Sequence, residues 1–479
     1  MPEFCRSSGI FRHPSGMARH TAAISRLYNV SKTSPDLQCY IRIIMTENAS
    51  HNGSDANGTY KKGPLEGIKV IEFGNFVAGP FAGQILADMG AEVIKIEPPT
   101  GDPWRVSQPF APYESRTFLP LNRGVKSVTL NLKDPKGKAA LEKIVKMSDG
   151  VISNNRPDTA KTLGIDYDSL SAINPAIIYV DITAYGMKGP LGGAPGFDLV
   201  MQGFTGAVTS EGKITPNGQP EVVWSSSYID LSSAYCAALG IAAGIIGRGD
   251  SGQGQKVETS LMMNALAMQC MRIMHMLDAP TPSMTWYQER YPQLIAEGKT
   301  YQELQRDYQS VVRPSIYRCY YRAYRTKDGG MCLGTLDWAA RARLLKHLNL
   351  EDPRVTDPDY EYAAPDADKL AEDMIDSFED TFASKTTAEW VEELNAKDIP
   401  CGPIRFSEDL VWDEQAAANN YIIELEHHTG HRYRTSGPIL NFTAGMPDLK
   451  ASPALGEHNY EILREAGMTE DEIAAIVTR

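Results

Sequence analysis

Asp230 stands directly ahead of an apolar run, in W-S-S-S-Y-I-D-L-S-S-A-Y-C-A-A-L-G-I-A-A-G-I-I-G over residues 224–247. Two chemistries fit a short carboxylate there. One is a helix N-cap, whose side chain accepts hydrogen bonds from the first free backbone N–H groups. The other is a nucleophile, kept ionised by the positive end of the helix dipole. The segment E-L-E-H-H-T-G-H-R-Y-R-T raises a metal reading through His427, His428 and His431. Adjacent strand residues point to opposite faces, however, and Thr429-Gly430 reads as a hairpin turn, so no metal is assigned.

Elements able to position these groups emerge from Gly67 onward. G-I-K-V-I-E-F (67–73), A-E-V-I-K-I-E (91–97), K-S-V-T-L-N-L (126–132), G-V-I-S-N (150–154) and A-I-I-Y-V-D-I-T (176–183) read as strands. Helical patterns separate them, at 78–90 and at 134–147, where Ala140, Leu141, Ile144 and Val145 share one face. Alternating β and α elements imply an α/β fold with a Rossmann-like parallel sheet and right-handed crossovers. The Asp230 helix and G-Q-G-Q-K-V-E-T-S-L lead into a Met-rich helix expected to serve as core. Residues 279–314 read as a polar linker containing a helix. A smaller α+β unit follows over 315–415, with I-Y-R-C-Y-Y-R-A-Y and G-G-M-C-L-G-T as strands, and 416–479 return to the large domain begun at 64–278.

At 479 residues the chain has room for more than one domain. Its formal net charge of −13 argues against broad attraction to nucleic acid or to an anionic membrane. The apolar run after Asp230 is rich in Ala and Gly and ends at Gly247-Arg248-Gly249, which suits a buried helix better than a membrane span. Seven scattered cysteines, none in a C-x-x-C pair, indicate free thiols in a reducing, cytoplasmic setting. Residues 1–63 stand apart: 1–44 are Arg-containing and acid-poor, either a targeting leader or sequence upstream of the true start at Met45. The first turn, G-N-F-V-A-G-P, lacks the G-x-G-x-x-G spacing, leaving Glu97 at the end of the second strand as weak support for an NAD-linked dehydrogenase.

Many motifs in register then converge. P-L-E-G-I-K-V-I-E-F-G-N-F-V-A-G-P, G-A-E-V-I-K-I-E-P-P-T-G-D, L-N-R-G-V-K-S-V-T-L-N-L-K, N-R-P-D-T-A-K-T-L-G-I-D-Y-D-S-L, P-G-F-D-L-V-M-Q-G-F-T-G and G-Q-G-Q-K-V-E-T-S-L together resemble the class III (CaiB/BaiF-type) CoA-transferases. The resemblance spans roughly residues 64–479 and implies an interlocked homodimer. It implies that Asp230 is the catalytic carboxylate, moving CoA from an acyl-CoA donor to a carboxylic acid acceptor through mixed-anhydride and aspartyl-CoA thioester intermediates. CoA is then a substrate, and no cofactor is required. By the same resemblance Val77, Ala78, Leu130, Lys133, Asn154, Asn155 and Arg156 line the CoA pocket, and Phe197 and Asp198 lie beside the thioester. Lys133 also reads as a solvated helix-start lysine, Arg156 as a surface ion pair and Asp198 as a helix cap. The chain departs from the family at Val77, where the formyl enzyme has Gln, and at Thr162, where many members have Arg. An acyl-CoA racemase or epimerase of the same family is the alternative reading. G-F-D stands in place of the racemases' G-H-D, however, and Phe197 cannot carry a proton.

Overall fold

The computed structural model describes residues 62–361 and 366–477, so the proposed leader lies outside the described residues. One compact unit comprises Leu65–Leu440 and Leu449–Arg479; the second, Met1–Pro64 with Asn441–Asp448, is described only at 62–64 and 441–448.

The larger unit is mixed α/β. Strands β1 (Lys69–Phe73), β2 (Glu92–Glu97), β3 (Lys126–Thr129), β4 (Gly150–Ser153), β5 (Ile178–Thr183) and β6 (Gln255–Ser260) form one sheet in the order β3-β2-β1-β4-β5-β6. Every pairing is parallel. This is the order of a doubly wound sheet, whose direction of winding reverses between β1 and β4. Strands covered on both faces need apolar residues at consecutive positions, and β5 is buried along its whole length. Neighbouring residues supply opposite layers. Val70, Ile152 and Val180 join one core with helix α1 (Ala78–Asp88), whereas Ile71, Val151 and Tyr179 join another with helix α2 (Pro135–Lys146).

Two more helices complete the first layer. Asp198–Phe204 (α3) is short, and Tyr228–Arg248 (α4) is the apolar run that begins after Ser227. By length and composition α4 is the one described helix able to cross a membrane, but its Ile229, Ala234, Ala237, Ala238 and Ile241 face is seated in the first core. Its glycines explain how closely it sits. A Cβ on Gly244 would meet Ile178 Cγ2 at 2.4 Å, and one on Gly240 would meet Val257 Cγ1 at 3.2 Å. Because α4 runs back across the sheet into β6, its N-terminus and that of α1 both lie at the carboxyl ends of the strands. Phe81 of α1 and Tyr235 of α4 touch edge to face at 5.7 Å.

Beyond β6 the Met-rich segment forms α5 (Leu261–Met268) and a single turn, Cys270–Ile273. The core role expected for its methionines holds for Met262, which packs against the first core, but not for Met263, Met268, Met271, Met274 and Met276, all more than half exposed. The helix breaks at Gln269, and the methionines beyond the break stay uncovered in the single chain. The segment read as a linker containing a helix is largely helical, ending in α6 (Tyr301–Val312), which opens with a Thr300/Glu303 capping box.

A third core lies around β7 (Tyr321–Arg325), β8 (Gly330–Gly334) and β9 (Cys401–Pro403), an antiparallel sheet in the order β9-β8-β7. The strand expected from Ile316 begins five residues late. Ser315–Tyr320 is a helix that buries Ile316, Cys319 and Tyr320 together, a helical spacing that alternation does not reproduce. A hairpin, β10 (Ile422–Glu426) and β11 (Arg432–Ser436), comes next, and Ile462 and Leu463 near the C-terminus rejoin the second core.

Candidate active site

Asp230 is the third residue of α4, not its cap. The N-cap position is Ser227, whose side chain makes no capping bond. Capping comes from another helix. Asp198, buried at the start of α3, accepts the Ile229 N–H at 2.8 Å and the Asp230 N–H at 3.2 Å on its Oδ2. Its Oδ1 accepts from Gln202 Nε2 at 2.6 Å. Asp198 therefore satisfies the free N–H groups that Asp230 would otherwise have served, and Asp230 is left with a half-buried carboxyl that accepts no hydrogen bond among the described residues. Burial, and then the Asp198 charge, push the Asp230 pKa up to about 7. The helix start was expected to keep this acid ionised; desolvation and a like charge oppose the dipole here.

The first turn converges on the same place. β1 ends at Phe73 and α1 begins at Ala78, and the reversal between them is tight: a Cβ on Gly74 would lie 2.9 Å from Gly79 Cα. Asn154, just past β4, fixes this turn by a reciprocal pair. It receives the Asn75 N–H at 3.0 Å and donates to the Asn75 carbonyl at 2.9 Å. Asn155 donates to the Phe73 carbonyl. These bonds join the ends of β1 and β4, the point at which the winding reverses. Phe76, in the left-handed region at φ 65°, sets its ring edge-on to Phe197 at 5.8 Å and to Trp104 at 5.5 Å. Phe197 is 60% exposed, and it places the first turn beside the Asp198–Asp230 pair.

The structure thus brings together Val77, Ala78, Asn154, Asn155, Phe197, Asp198 and Asp230. Val77 and Ala78 are buried, so α1 can offer a ligand its uncapped N-terminus rather than their side chains. Leu130 is buried beyond β3, where its N–H donates to the Glu97 carbonyl, and Lys133 is exposed just before α2. Among the described residues neither is hydrogen-bonded to the first turn. Arg156 is exposed and pairs with Asp158 at 3.1 Å, and Thr162 donates to the Asp158 carbonyl at 2.8 Å.

Residues 65–459 match the CoA-transferase family III profile. The chain belongs to that family. Among curated relatives it is 31% identical, over 85% of this chain and 95% of the relative, to cinnamoyl-CoA:phenyllactate CoA-transferase of Clostridium sporogenes. It is 29% identical, over 84% and 86%, to succinyl-CoA:glutarate CoA-transferase of Mus musculus. Among solved structures, the Rv3272 protein of Mycobacterium tuberculosis matches with a TM-score of 0.67 and 27% identity, covering 84% of this chain and all of that one. A CaiB/BaiF family protein of Brucella suis matches at 0.64 and 25%, over 85% and 100%. The chain is a class III CoA-transferase.

Family membership removes the dehydrogenase reading, and the structure shows what Glu97 does instead. Both its oxygens face Arg105, at 2.7 and 2.9 Å, and Oε1 also accepts from Ser127 at 2.6 Å, so it has no free edge for a ribose. Phe76, Asn75 and Trp104 were missed as site residues. Their only sequence signal was position, within or just after the turns at the carboxyl ends of β1 and β2. The hairpin at 422–436 forms as expected, but His427 and His428 fall in its turn rather than on a strand, so alternation does not separate them. Both face Glu114, at 3.3 and 3.0 Å, while His431 packs edge-on to Phe110 at 5.6 Å.

Proposed function

We propose that this class III CoA-transferase works through Asp230, moving CoA from an acyl-CoA donor to a carboxylic acid acceptor. The observation that carries the proposal is a carboxyl free of hydrogen-bond partners among the described residues at the edge of the switch point, while a neighbouring acid caps its helix in its place. A side chain spared from capping is available to react. Its carboxylate attacks the acyl-CoA carbonyl, expelling CoA thiolate and forming a mixed anhydride. The thiolate then attacks the aspartyl carbonyl, which releases the donor acid and leaves an aspartyl-CoA thioester. The acceptor carboxylate repeats both steps in reverse, so the thioester energy is conserved. The uncapped start of α1 suits an anionic part of CoA, and Asn154 and Asn155 hold that turn in place. The reaction as written draws on no metal or redox cofactor.

The same reading includes a homodimer. On the outer face of α4, Leu239 and Ile246 are 67% and 80% exposed, and Met271 and Leu277 beyond it are 89% and 101% exposed. Large apolar side chains left this exposed are what a second subunit covers. An exchange assay over a panel of acyl-CoA donors and pooled acids tests the proposal. Wild-type protein is expected to form new acyl-CoA and Asp230→Asn, folded, is not; equal turnover by the variant refutes it.

A further inference from the structure

We propose that Glu114, His427 and His428 form a binding site for a divalent transition-metal ion of the zinc class, separate from the transferase chemistry. The ligand atoms of the three side chains lie within 4.8 Å of one another. Glu114 Oε1 is 3.0 Å from His428 Nε2, and Glu114 Oε2 is 3.3 Å from His427 Nε2. A tetrahedral ion about 2.0–2.1 Å from imidazole nitrogens spaces its donors by roughly 3.4 Å, close to both distances.

An independent observation points the same way. Glu114 and His427 are 3% and 1% exposed, yet Glu114 Oε2 and His427 Nε2 have no hydrogen-bond partner. The two atoms lie 3.3 Å apart without hydrogen-bond geometry; buried polar atoms left so are costly, and a cation held by both satisfies both. His427 Nδ1 is engaged by Thr429, at 2.8 Å from Oγ1 and 3.4 Å from the backbone N–H that it accepts, which leaves Nε2 as the ring nitrogen facing Glu114.

The charge around the site also leaves room for a cation. Arg105 lies 3.7 Å from Glu114 Oε1 but is paired with Glu97 at 2.7 Å, and Lys95 is shared between Glu72 and Asp102. In this buried chain four carboxylates face two cations. His428, partly exposed, opens the site to solvent and leaves a further coordination position for water. Bound there, the ion ties the β10–β11 hairpin to the segment that carries Trp104, whose carbonyl accepts from Ser115.

The test uses the full chain, stripped with a chelator, and Zn2+ or Co2+ as the probe. Wild-type protein is expected to bind Zn2+ in calorimetric titration, to show tetrahedral d–d absorbance with Co2+, and to melt at higher temperature when loaded. His428→Ala, at a partly exposed position, and Glu114→Gln should each weaken binding at least about tenfold and abolish the thermal shift, whereas His431→Ala should leave both intact. Absence of Zn2+ uptake by wild type overturns the proposal. So does equal uptake by His428→Ala and Glu114→Gln, which would place the ion on thiols or other histidines.

Discussion

Glu72 and Asp102 share a buried cation, Lys95, at 2.9 and 3.1 Å, whereas Asp198 and Asp230 share none among the described residues. Both pairs of acids lie at the carboxyl ends of the parallel strands. Burial works against the Lys95 charge, but Glu72, Asp102 and Glu97 outweigh it and raise its pKa. Burial still pushes Glu72 up to about 7 against the Lys95 charge, so what sets the pairs apart is the partner and not the pKa. Lys95 also donates to the Gly74 carbonyl at 3.0 Å, so the compensated pair braces the first turn from beneath. At the uncompensated pair, one acid is consumed by backbone N–H groups and the other is left open. Charges answered by opposite charges build the platform; the unanswered one is available for chemistry.

Exchanging the two treatments should break the comparison in opposite ways. Asp230→Asn should lower kcat by about 10³-fold or more in the exchange assay, since an amide cannot form the anhydride, with circular dichroism unchanged. Lys95→Met should act on stability instead. It strands Glu72 and Asp102 without a cation, and urea unfolding should show a loss of about 3–5 kcal/mol.

Asp230→Asn should also change how stability depends on pH. The folded pKa of about 7 exceeds the ordinary value of 3.8, so the neutral carboxyl's contribution is full below 3.8 and is lost as pH rises through about 7. Asn has no charge to bury. The variant should therefore melt above wild type at pH 8, with the gap closing toward pH 4. Asp198→Asn sharpens the comparison further. An Asn oxygen can still accept the Ile229 and Asp230 N–H groups, but it removes the like charge that helps hold the Asp230 pKa up. The ascending limb of kcat/KM against pH should shift to lower pH; an unmoved limb would mean that burial alone sets it. The smallest effect belongs to Arg156→Ala. An exposed pair of this kind contributes about 0.2–1 kcal/mol, so Tm should barely move, and a rise in the KM for acyl-CoA would assign the guanidinium to the CoA phosphates.

The platform was largely legible in the sequence because its strands are short apolar runs and its helices carry one apolar face. β1, β2, β4 and β5 all fall within their expected ranges, and the Asp230 helix starts among residues that read as its beginning. The identity of the cap was not legible. That Asp198 serves α4 depends on a contact between residues 32 apart, which no local pattern encodes. The placement of Ile316 failed for a different reason, since a β-branched and aromatic run fits a strand and a one-sided buried helix equally well. The strand placement of His427 and His428 failed because alternation was extended into a turn, where it has no force.

The central claim, that the open carboxyl of Asp230 is the group that becomes covalently loaded, is tested most directly by trapping. Wild-type protein is incubated with an acyl-CoA donor, quenched with hydroxylamine or reduced with borohydride, digested and sequenced by mass spectrometry. The expected product is a hydroxamate, or the corresponding alcohol, on Asp230 and nowhere else, dependent on acyl-CoA. A label on Asp198, or none under conditions of active exchange, would contradict it.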